Sequence, residues 1–183
     1  MEAVTRSKTT DIVYTGMFVV LIAICAWINV PMAVPFTLQT FGVFMAVETL
    51  GGRRGTLAVL VYILLGAAGV PVFAGFSGGI APLFGSTGGY IIGFLFSALV
   101  MWAIESLFGH KPLVTILAML AGLLVCYLFG TIWFMVVYSR SGSTASLLTV
   151  LGWCVFPFII PDLAKIGLAY LLSQRVKKAV HLQ

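Results

Sequence analysis

Long apolar stretches alternate with short polar breaks along the whole chain. A helix that crosses the lipid core of a membrane needs about 20 mostly apolar residues. Six stretches meet or approach that length: 12–30, 36–50, 54–70, 87–108, 112–138 and 145–174. The second and third are short, whereas the last two are long enough to tilt or kink. The pattern predicts an all-α membrane protein, with residues 1–183 forming a single domain of six transmembrane helices.

The distribution of basic residues supports an even number of crossings. Lys and Arg concentrate in cytoplasmic loops, so their positions test the helix count. One side of the predicted topology would carry Arg6, Lys8, Arg53, Arg54, Lys111, Arg175, Lys177 and Lys178. The loops on the other side would carry Arg140. The charge distribution therefore predicts that both termini are cytoplasmic.

The composition agrees with a membrane location. Hydrophobic residues make up 61% of the chain and charged residues only 8%, whereas soluble domains carry about 25% charged residues. The net charge is +5, but no basic stripe is interleaved with aromatic residues, so we do not expect nucleic-acid binding. The cysteines lie within apolar stretches, which predicts core packing and neither a disulfide nor a metal site. We expect a multi-pass protein in the lipid of the cell (inner or plasma) membrane.

The amino-terminal stretch predicts a retained helix and not a signal peptide. Basic residues precede an apolar run, as in a signal peptide, but the run continues from Ile12 to about Val30. That is long for the apolar region of a signal peptide, and no cleavage site with small residues follows it.

Residues 71–86, between the third and fourth stretches, have an unusual composition for a loop. The segment reads PVFAGFSGGIAPLFGS, without charge and rich in glycine. Glycine permits unusual backbone dihedrals and close backbone approach. Irregular backbone near a membrane is tolerated where protein buries it or where it lines a cavity. The segment is therefore either a packed re-entrant connector or a lid over a binding cavity, and the linker 31–35 opens on the same side.

Asp162 and Lys165 are the strongest candidates for a functional site. Ionisable residues inside membrane spans are costly to bury and are often functional. These two lie deep in the sixth stretch, three residues apart on one helix face and directly after Pro161. They form either a self-neutralising structural ion pair or a site for a ligand that both donates and accepts hydrogen bonds.

Two further acidic residues, Glu48 and Glu105, lie near the cytoplasmic ends of the second and fourth stretches. Glu48 is close in sequence to Arg53 and Arg54. We therefore predict an interfacial ion pair between Glu48 and these arginines.

Uncharged polar clusters begin two of the predicted helices. Gln39, in the segment TLQT at 37–40, can donate and accept hydrogen bonds at once, which suits an amide-like ligand. Helix capping and helix–helix hydrogen bonding are equally consistent with this cluster. The run GSTGGY at 85–90 leaves backbone N–H groups free at a helix start, a natural anion site. Gly89 and Gly93 also have the GxxxG spacing that is typical of helix packing.

The sequence argues against enzymatic activity. Residues 75–78 read GFSG, which matches the GxSG motif of rhomboid intramembrane proteases. A nucleophilic serine needs a base within hydrogen-bond reach, and His110 and His181 are predicted at the opposite, cytoplasmic edge. The sequence has no P-loop, so we do not expect this chain to hydrolyse ATP.

Four segments of the chain resemble one family of vitamin importers. The segments are PFTLQTFGVF at 35–44, GGRRGTLAVLVYILLGAAGVPVFAG at 51–75, STGGYIIGF at 86–94 and PDLAK at 161–165. Together they resemble BioY, a family of six-helix S-components that bind biotin from outside. Such proteins work with a transmembrane coupling protein and a pair of ABC-type ATPases. The resemblance implies an S-component fold, biotin as the transported substrate, no cofactor in this chain and ATP use by partner subunits.

The resemblance also implies roles for individual residues. Asp162 and Lys165 would contact the bicyclic ureido head, because a carboxylate accepts ring N–H bonds and an ammonium donates to the carbonyl. The other implied substrate contacts are Gln39 and Gly75 around the ligand, Phe36 and Phe73 along the thiophane ring and aliphatic chain, and Gly88, Gly89 and Tyr90 toward the valerate.

Two features depart from the family pattern. Ser86 stands where family members often have proline, in a GPTGGY-like run. S-components commonly carry an A-xxx-A face on the first helix for docking the coupling protein. Ala23 and Ala26 are three residues apart here, so that motif does not assign the docking surface or the partner.

Two other functions stay compatible with the sequence. The first is an importer of the same fold for another vitamin; the FTLQT and VFAG blocks argue against this alternative. A self-sufficient secondary carrier would move biotin along a gradient without ATPases, with Asp162 as its proton carrier.

Overall fold

Eight α-helices account for most of the computed structural model, which describes residues 8–32, 34–140, 142 and 145–180. They are α1 (Lys8–Trp27), α2 (Gln39–Leu50), α3 (Gly52–Ala67), α4 (Ala81–Phe84), α5 (Gly88–Phe108), α6 (Pro112–Arg140), α7 (Leu147–Cys154) and α8 (Phe156–Val180). Two short strands, β1 (Asn29–Val30) and β2 (Phe36–Thr37), pair antiparallel between α1 and α2. Arg6, Ala33 of the 31–35 linker and His181 lie outside the described residues. The predicted helical class is confirmed.

Most of the predicted helix boundaries agree with the structure. The stretches predicted at 54–70, 87–108 and 112–138 correspond to α3, α5 and α6 with small shifts at their ends. The first helix, predicted at 12–30, begins earlier, at Lys8, and ends at Trp27 because the chain then turns into β1. The helix predicted at 36–50 begins only at Gln39, because the two residues of β2 pair with β1.

The sixth predicted helix, 145–174, is wrong as a single element. The chain forms α7 and α8 with a break at Val155, whose backbone leaves the helical region (φ −130°, ψ −57°). Pro157 gives the physical reason. Proline has no N–H and its ring clashes with the carbonyl four residues earlier, so it is costly inside a helix but well tolerated in the first turn. Pro157 accordingly lies in the first turn of α8, and Pro161 follows inside the helix.

Glycines allow the helices to approach closely in the core. A Cβ on Gly55 of α3 would lie 2.3 Å from the Cα of Val47 in α2. A Cβ on Gly93 of α5 would lie 3.3 Å from the Cα of Cys126 in α6. Gly93 thus has the packing role that its GxxxG spacing predicted. The helix α2 is buried along most of its length among its neighbours.

The outer surface of the bundle is apolar. On α6, Leu124, Leu128 and Ile132 are 66%, 63% and 55% exposed, and their four-residue spacing places them on one face. Continuous apolar surface of this kind is unusual for a soluble monomer and suits lipid. Within the described part of the chain, α1, α5, α6 and α8 are long and apolar enough to cross a membrane. Crossings by α2 and α3, of 12 and 16 residues, stay a prediction.

Two ion pairs tie helix ends together. Arg54 Nη2 lies 2.7 Å from Asp11 Oδ2, which joins the start of α3 to the start of α1. The buried Glu48, near the end of α2, bonds to Lys177 near the end of α8. These pairs therefore join the start of α3 to the start of α1, and the end of α2 to the end of α8.

The predicted partners of Glu48 are wrong. Its ion pair joins α8, whereas Arg54 pairs with Asp11 and Arg53 is exposed. Gly51 gives the reason, since its left-handed backbone (φ 83°) turns the chain sharply between α2 and α3. Residues that are neighbours in sequence across this turn therefore face different helices.

Candidate substrate-binding site

A cavity lies among α2, α5, α6 and α8, with β2 and the loop between α3 and α4 forming further walls. Its empty space measures about 750 Å³ when the space in its open mouth is included. Its walls are mainly apolar with a few polar side chains. The lining residues are Val34, Pro35, Phe36, Thr37, Gln39, Thr40, Phe73, Ala74, Ser77, Pro82, Thr87, Tyr90, Ile91, Phe94, Cys126, Tyr127, Cys154, Phe158, Asp162 and Lys165.

Asp162 and Lys165 form the charged centre of this cavity. They are 3% and 5% exposed, and Lys165 Nζ lies 2.7 Å from Asp162 Oδ1. Asp162 also accepts hydrogen bonds from Thr40 Oγ1 at 3.0 Å and from the Tyr127 hydroxyl at 2.5 Å. Lys165 Nζ donates to the backbone oxygen of Thr37 at 2.6 Å. The sequence left open whether these residues form a structural ion pair or line a ligand site. In the structure they pair with each other and also line a cavity.

The charged groups of the site are held in place by hydrogen bonds from several parts of the fold. Residues three apart lie on one face of a helix, and this face of α8 packs toward α2. A buried ion pair is stable only when further hydrogen bonds satisfy both groups. Thr40 of α2 and Tyr127 of α6 supply them to the carboxylate. Three helices therefore fix the position of one carboxyl group.

Aromatic rings form the apolar walls around this centre. The Phe36 ring centroid lies 4.1 Å from Lys165 Nζ, a cation–π contact, and the ring stacks on Phe158 with centroids 5.9 Å apart. Phe73 is fully buried and meets the Tyr62 ring edge-on at 5.6 Å. The predicted site residues Phe36 and Phe73 thus both lie at the cavity.

Gln39 reaches the cavity from the first turn of α2. Its Nε2 donates to the Tyr62 hydroxyl at 2.6 Å, and this hydroxyl donates to the carbonyl oxygen of Val72 at 3.1 Å. Thr37 Oγ1 donates to Gln39 Oε1 at 3.0 Å. The amide is therefore held at both of its ends, between the strand β2 and the start of the glycine-rich loop.

Gly75 lies within the loop and gives it a sharp turn. Its φ of 68° falls in the left-handed region that favours glycine, inside a short 3-10 helix at Ala74–Phe76. Ala74 and Ser77, on either side of this turn, line the cavity. The loop therefore forms part of the cavity wall, while a direct contact of Gly75 with substrate stays a prediction.

Gly88 and Gly89 are tightly packed in the first turn of α5. A Cβ on Gly88 would lie 1.8 Å from the backbone oxygen of Leu83, and one on Gly89 would lie 2.2 Å from Trp133 Cβ. Close packing accounts for both glycines. In the part of the chain that the structure describes, the cavity wall at this helix start includes their neighbour Tyr90, and a contact of the two glycines with valerate stays a prediction.

Tyr90 lines the cavity and is anchored on its far side. Its hydroxyl lies 3.3 Å from Thr131 Oγ1 and 3.4 Å from the carbonyl oxygen of Cys154. Gly130 makes room for the ring, since a Cβ there would lie 2.4 Å from two ring atoms. This predicted residue is thus held in place by α6 and α7.

Several residues at or behind the site were not singled out from the sequence, among them Thr40, Tyr62, Tyr127 and Phe158. Buried tyrosines usually find a hydrogen-bond partner, so a tyrosine inside an aliphatic span is a usable signal for Tyr62 and Tyr127. Thr40 belongs to the polar TLQT cluster. Phe158 carries no signal of its own, because phenylalanine is common in membrane spans.

An apolar helical bundle with a charged cavity indicates a multi-pass membrane protein with a candidate site for a small polar solute. The family model for the BioY family matches residues 1–182. The chain belongs to the BioY family. It is therefore a transport protein and not an enzyme, and its predicted location in a membrane as a multi-pass protein is confirmed.

Relatives and a solved structure support this membership over nearly the whole chain. A "Probable biotin transporter BioY" from Pyrococcus horikoshii is 39% identical, with 93% of this chain and 98% of that protein covered. A "Biotin transporter BioY" from Thermotoga maritima is 38% identical, with 92% and 96% covered. A crystal structure described as the S-component for biotin from an ECF-type ABC transporter matches with a TM-score of 0.83 at 26% identity, covering 97% of this chain and 95% of that one. The predicted S-component fold is thus confirmed.

Proposed function

We propose that this chain captures biotin and serves as the substrate-binding subunit of an energy-coupling-factor importer. The observation that carries the proposal is the buried Asp162–Lys165 pair beside an aromatic cavity. The head of biotin presents two ureido N–H donors and one carbonyl acceptor. A carboxylate can accept from an N–H group and an ammonium can donate to the carbonyl. The names of the relatives and of the matching structure support biotin as the substrate.

The remaining walls suit the apolar part of biotin. Phe36 and Phe73 would pack against the thiophane ring and the aliphatic chain, where each buried methylene contributes about 0.8 kcal/mol. Tyr90, at the start of α5, would lie toward the valerate, together with Gly88 and Gly89. The loop at 71–86, which already forms part of the cavity wall, would close over the ligand.

The partners would be a transmembrane coupling protein and a pair of ABC-type ATPases. The sequence has no P-loop, so ATP would be used by those subunits. ATP-driven reorientation of the whole subunit would then deliver biotin inward. Ala23 and Ala26 of α1 are buried in the bundle, 3% and 0% exposed. These two alanines therefore offer no exposed docking face.

The topology that fits this function has six crossings and cytoplasmic termini. The short helices α2 and α3 would supply two crossings, shielded from lipid by their neighbours. The Asp11–Arg54 and Glu48–Lys177 ion pairs support this arrangement, because they link the basic helix ends that the positive-inside rule places in the cytoplasm. The cavity would then open on the outer side.

Reporter fusions test this topology. Green fluorescent protein should fluoresce when fused to either terminus, and alkaline phosphatase should be active when fused after Gly142, between α6 and α7, but inactive after Gly109, between α5 and α6. The reason is that each reporter functions on only one side of the membrane. Active phosphatase at the carboxyl terminus would contradict an even number of crossings.

Calorimetric titration of the purified protein in detergent tests the substrate. We expect saturable binding of biotin and no measurable binding of thiamin or riboflavin, because the paired charges complement a cyclic urea. Tight binding of another vitamin without biotin binding would show an importer of the same fold with a different substrate. Uptake of biotin in vesicles that lack ATPases, driven by a proton gradient, would show a secondary carrier.

A further inference from the structure

A line of hydrogen bonds behind the cavity fixes the orientation of the Gln39 amide. The carbonyl oxygen of Val72 can only accept a hydrogen bond. The Tyr62 hydroxyl has a single hydrogen, so it must donate that hydrogen to Val72. The Tyr62 oxygen is then left as an acceptor. It lies 2.6 Å from Gln39 Nε2 and receives one of that group's hydrogens.

The orientation of the Gln39 side chain follows from this arrangement. The nitrogen and oxygen of a carboxamide are distinguished by their partners. With the NH₂ group held on Tyr62, the oxygen must lie on the other side, where Thr37 Oγ1 donates to it at 3.0 Å. The backbone oxygen of Thr37 holds the Lys165 ammonium. One residue, Thr37, therefore contacts both the Gln39 oxygen and the Lys165 ammonium, and all three residues line the cavity.

We propose that Tyr62 is a positioning residue that makes Gln39 present its carbonyl oxygen to the substrate, as the acceptor for one ureido N–H. This inference rests on the proposed function, since it assumes a ligand with N–H donors. Asp162 would accept from the second N–H and Lys165 would donate to the carbonyl. The site then offers two acceptors and one donor, the complement of a cyclic urea. Tyr62 acts only through Gln39, because it is fully buried behind the cavity wall.

Titration with biotin and with its two singly N-methylated ureido analogues tests the assignment. In the unmodified protein each methylation should weaken binding, since each N–H has its own acceptor. Tyr62→Phe frees the amide to rotate and should weaken biotin binding roughly tenfold, the effect of one hydrogen bond. It should also remove the methylation penalty at one nitrogen while leaving the other unchanged. Tyr170→Phe, on the carboxyl-terminal half of α8, is the matched control and should leave all three affinities unchanged.

A double-mutant cycle separates positioning from packing. In a Gln39→Met background, Tyr62→Phe should have no further effect on biotin affinity, because the group that it orients is gone. Equal losses in both backgrounds would overturn the inference, as would methylation penalties that Tyr62→Phe leaves unchanged. Gln39→Met tests the acceptor role separately, because one methylation penalty must vanish when the acceptor is removed; two unchanged penalties in that variant would also overturn the inference. Absence of biotin binding by the unmodified protein would overturn the proposed function and this inference together.

Discussion

Lys165→Ala and Asp162→Asn are each expected to weaken biotin binding by well over tenfold, the most severe losses that we expect at this site. Lys165→Ala removes the donor to the ureido carbonyl, and Asp162→Asn replaces a charged acceptor with a weaker neutral one. Each substitution also leaves the buried charge of the other residue without its counter-ion, which costs about 1–3 kcal/mol or more. We expect the larger loss for Lys165→Ala, because the Asp162 carboxylate then stays buried with only the Thr40 and Tyr127 donors. Calorimetric titration of each purified variant measures the loss.

A neutral double variant distinguishes a binding role from a structural one. Replacing a buried ion pair with uncharged side chains of similar volume is often neutral for stability, so Asp162→Asn/Lys165→Met should melt close to the unmodified protein. It should still not bind biotin. Lys178→Ala, an exposed lysine near the end of α8, is the control and should bind normally. Near-normal binding by the double variant would assign the pair to stability alone.

Gly66→Ala is expected to damage both stability and binding, although it adds a single methyl group. A Cβ at Gly66 would lie 2.0 Å from Cζ of Phe73, whose ring is fully buried between α3 and the cavity. Overpacking of this kind costs about 1–3 kcal/mol. The displaced ring would also lose contact with the ligand, and we expect roughly tenfold weaker biotin binding, equivalent to about 1.4 kcal/mol. Thermal melting and titration measure the two effects.

Gly16→Ala is the matched control for this substitution. Gly16 is also a helical glycine, but a Cβ there would have no atom within 4 Å. Alanine is favoured over glycine in a helix by up to about 1 kcal/mol, so this variant should melt at the same temperature or higher. A Gly66→Ala variant that behaved like Gly16→Ala would show that the Phe73 ring moves aside without cost.

The sequence predicts the charged residues of the site better than the residues that hydrogen-bond to them. Asp162 and Lys165 are conspicuous because ionisable residues are rare in apolar spans. Their partners Thr40 and Tyr127 lie far away in sequence and reach the carboxylate only through tertiary packing. No helical or strand period connects such distant residues. The same reason explains why the partner of Glu48 was predicted wrongly.

The sequence likewise predicts the role of some glycines but not of others. The glycine-rich loop indicated irregular backbone, and Gly75 has the left-handed backbone that glycine permits. Gly66 and Gly88 instead make room for specific neighbours, Phe73 and the Leu83 backbone. Composition does not separate these two uses of glycine, because the second depends on what packs against the residue. The break between α7 and α8 was missed for a simpler reason, since the apolar stretch continues through it without a polar break.

The pairing of Asp162 with Lys165 has an electrical consequence for transport. A unit charge that crosses a membrane potential of 100 mV does work of about 2.3 kcal/mol. The carboxylate and the ammonium lie 2.7 Å apart and cancel, so these groups would cross that voltage at no net electrical cost whenever the empty subunit reorients. The charge that the loaded subunit moves at this site would then be that of its anionic cargo.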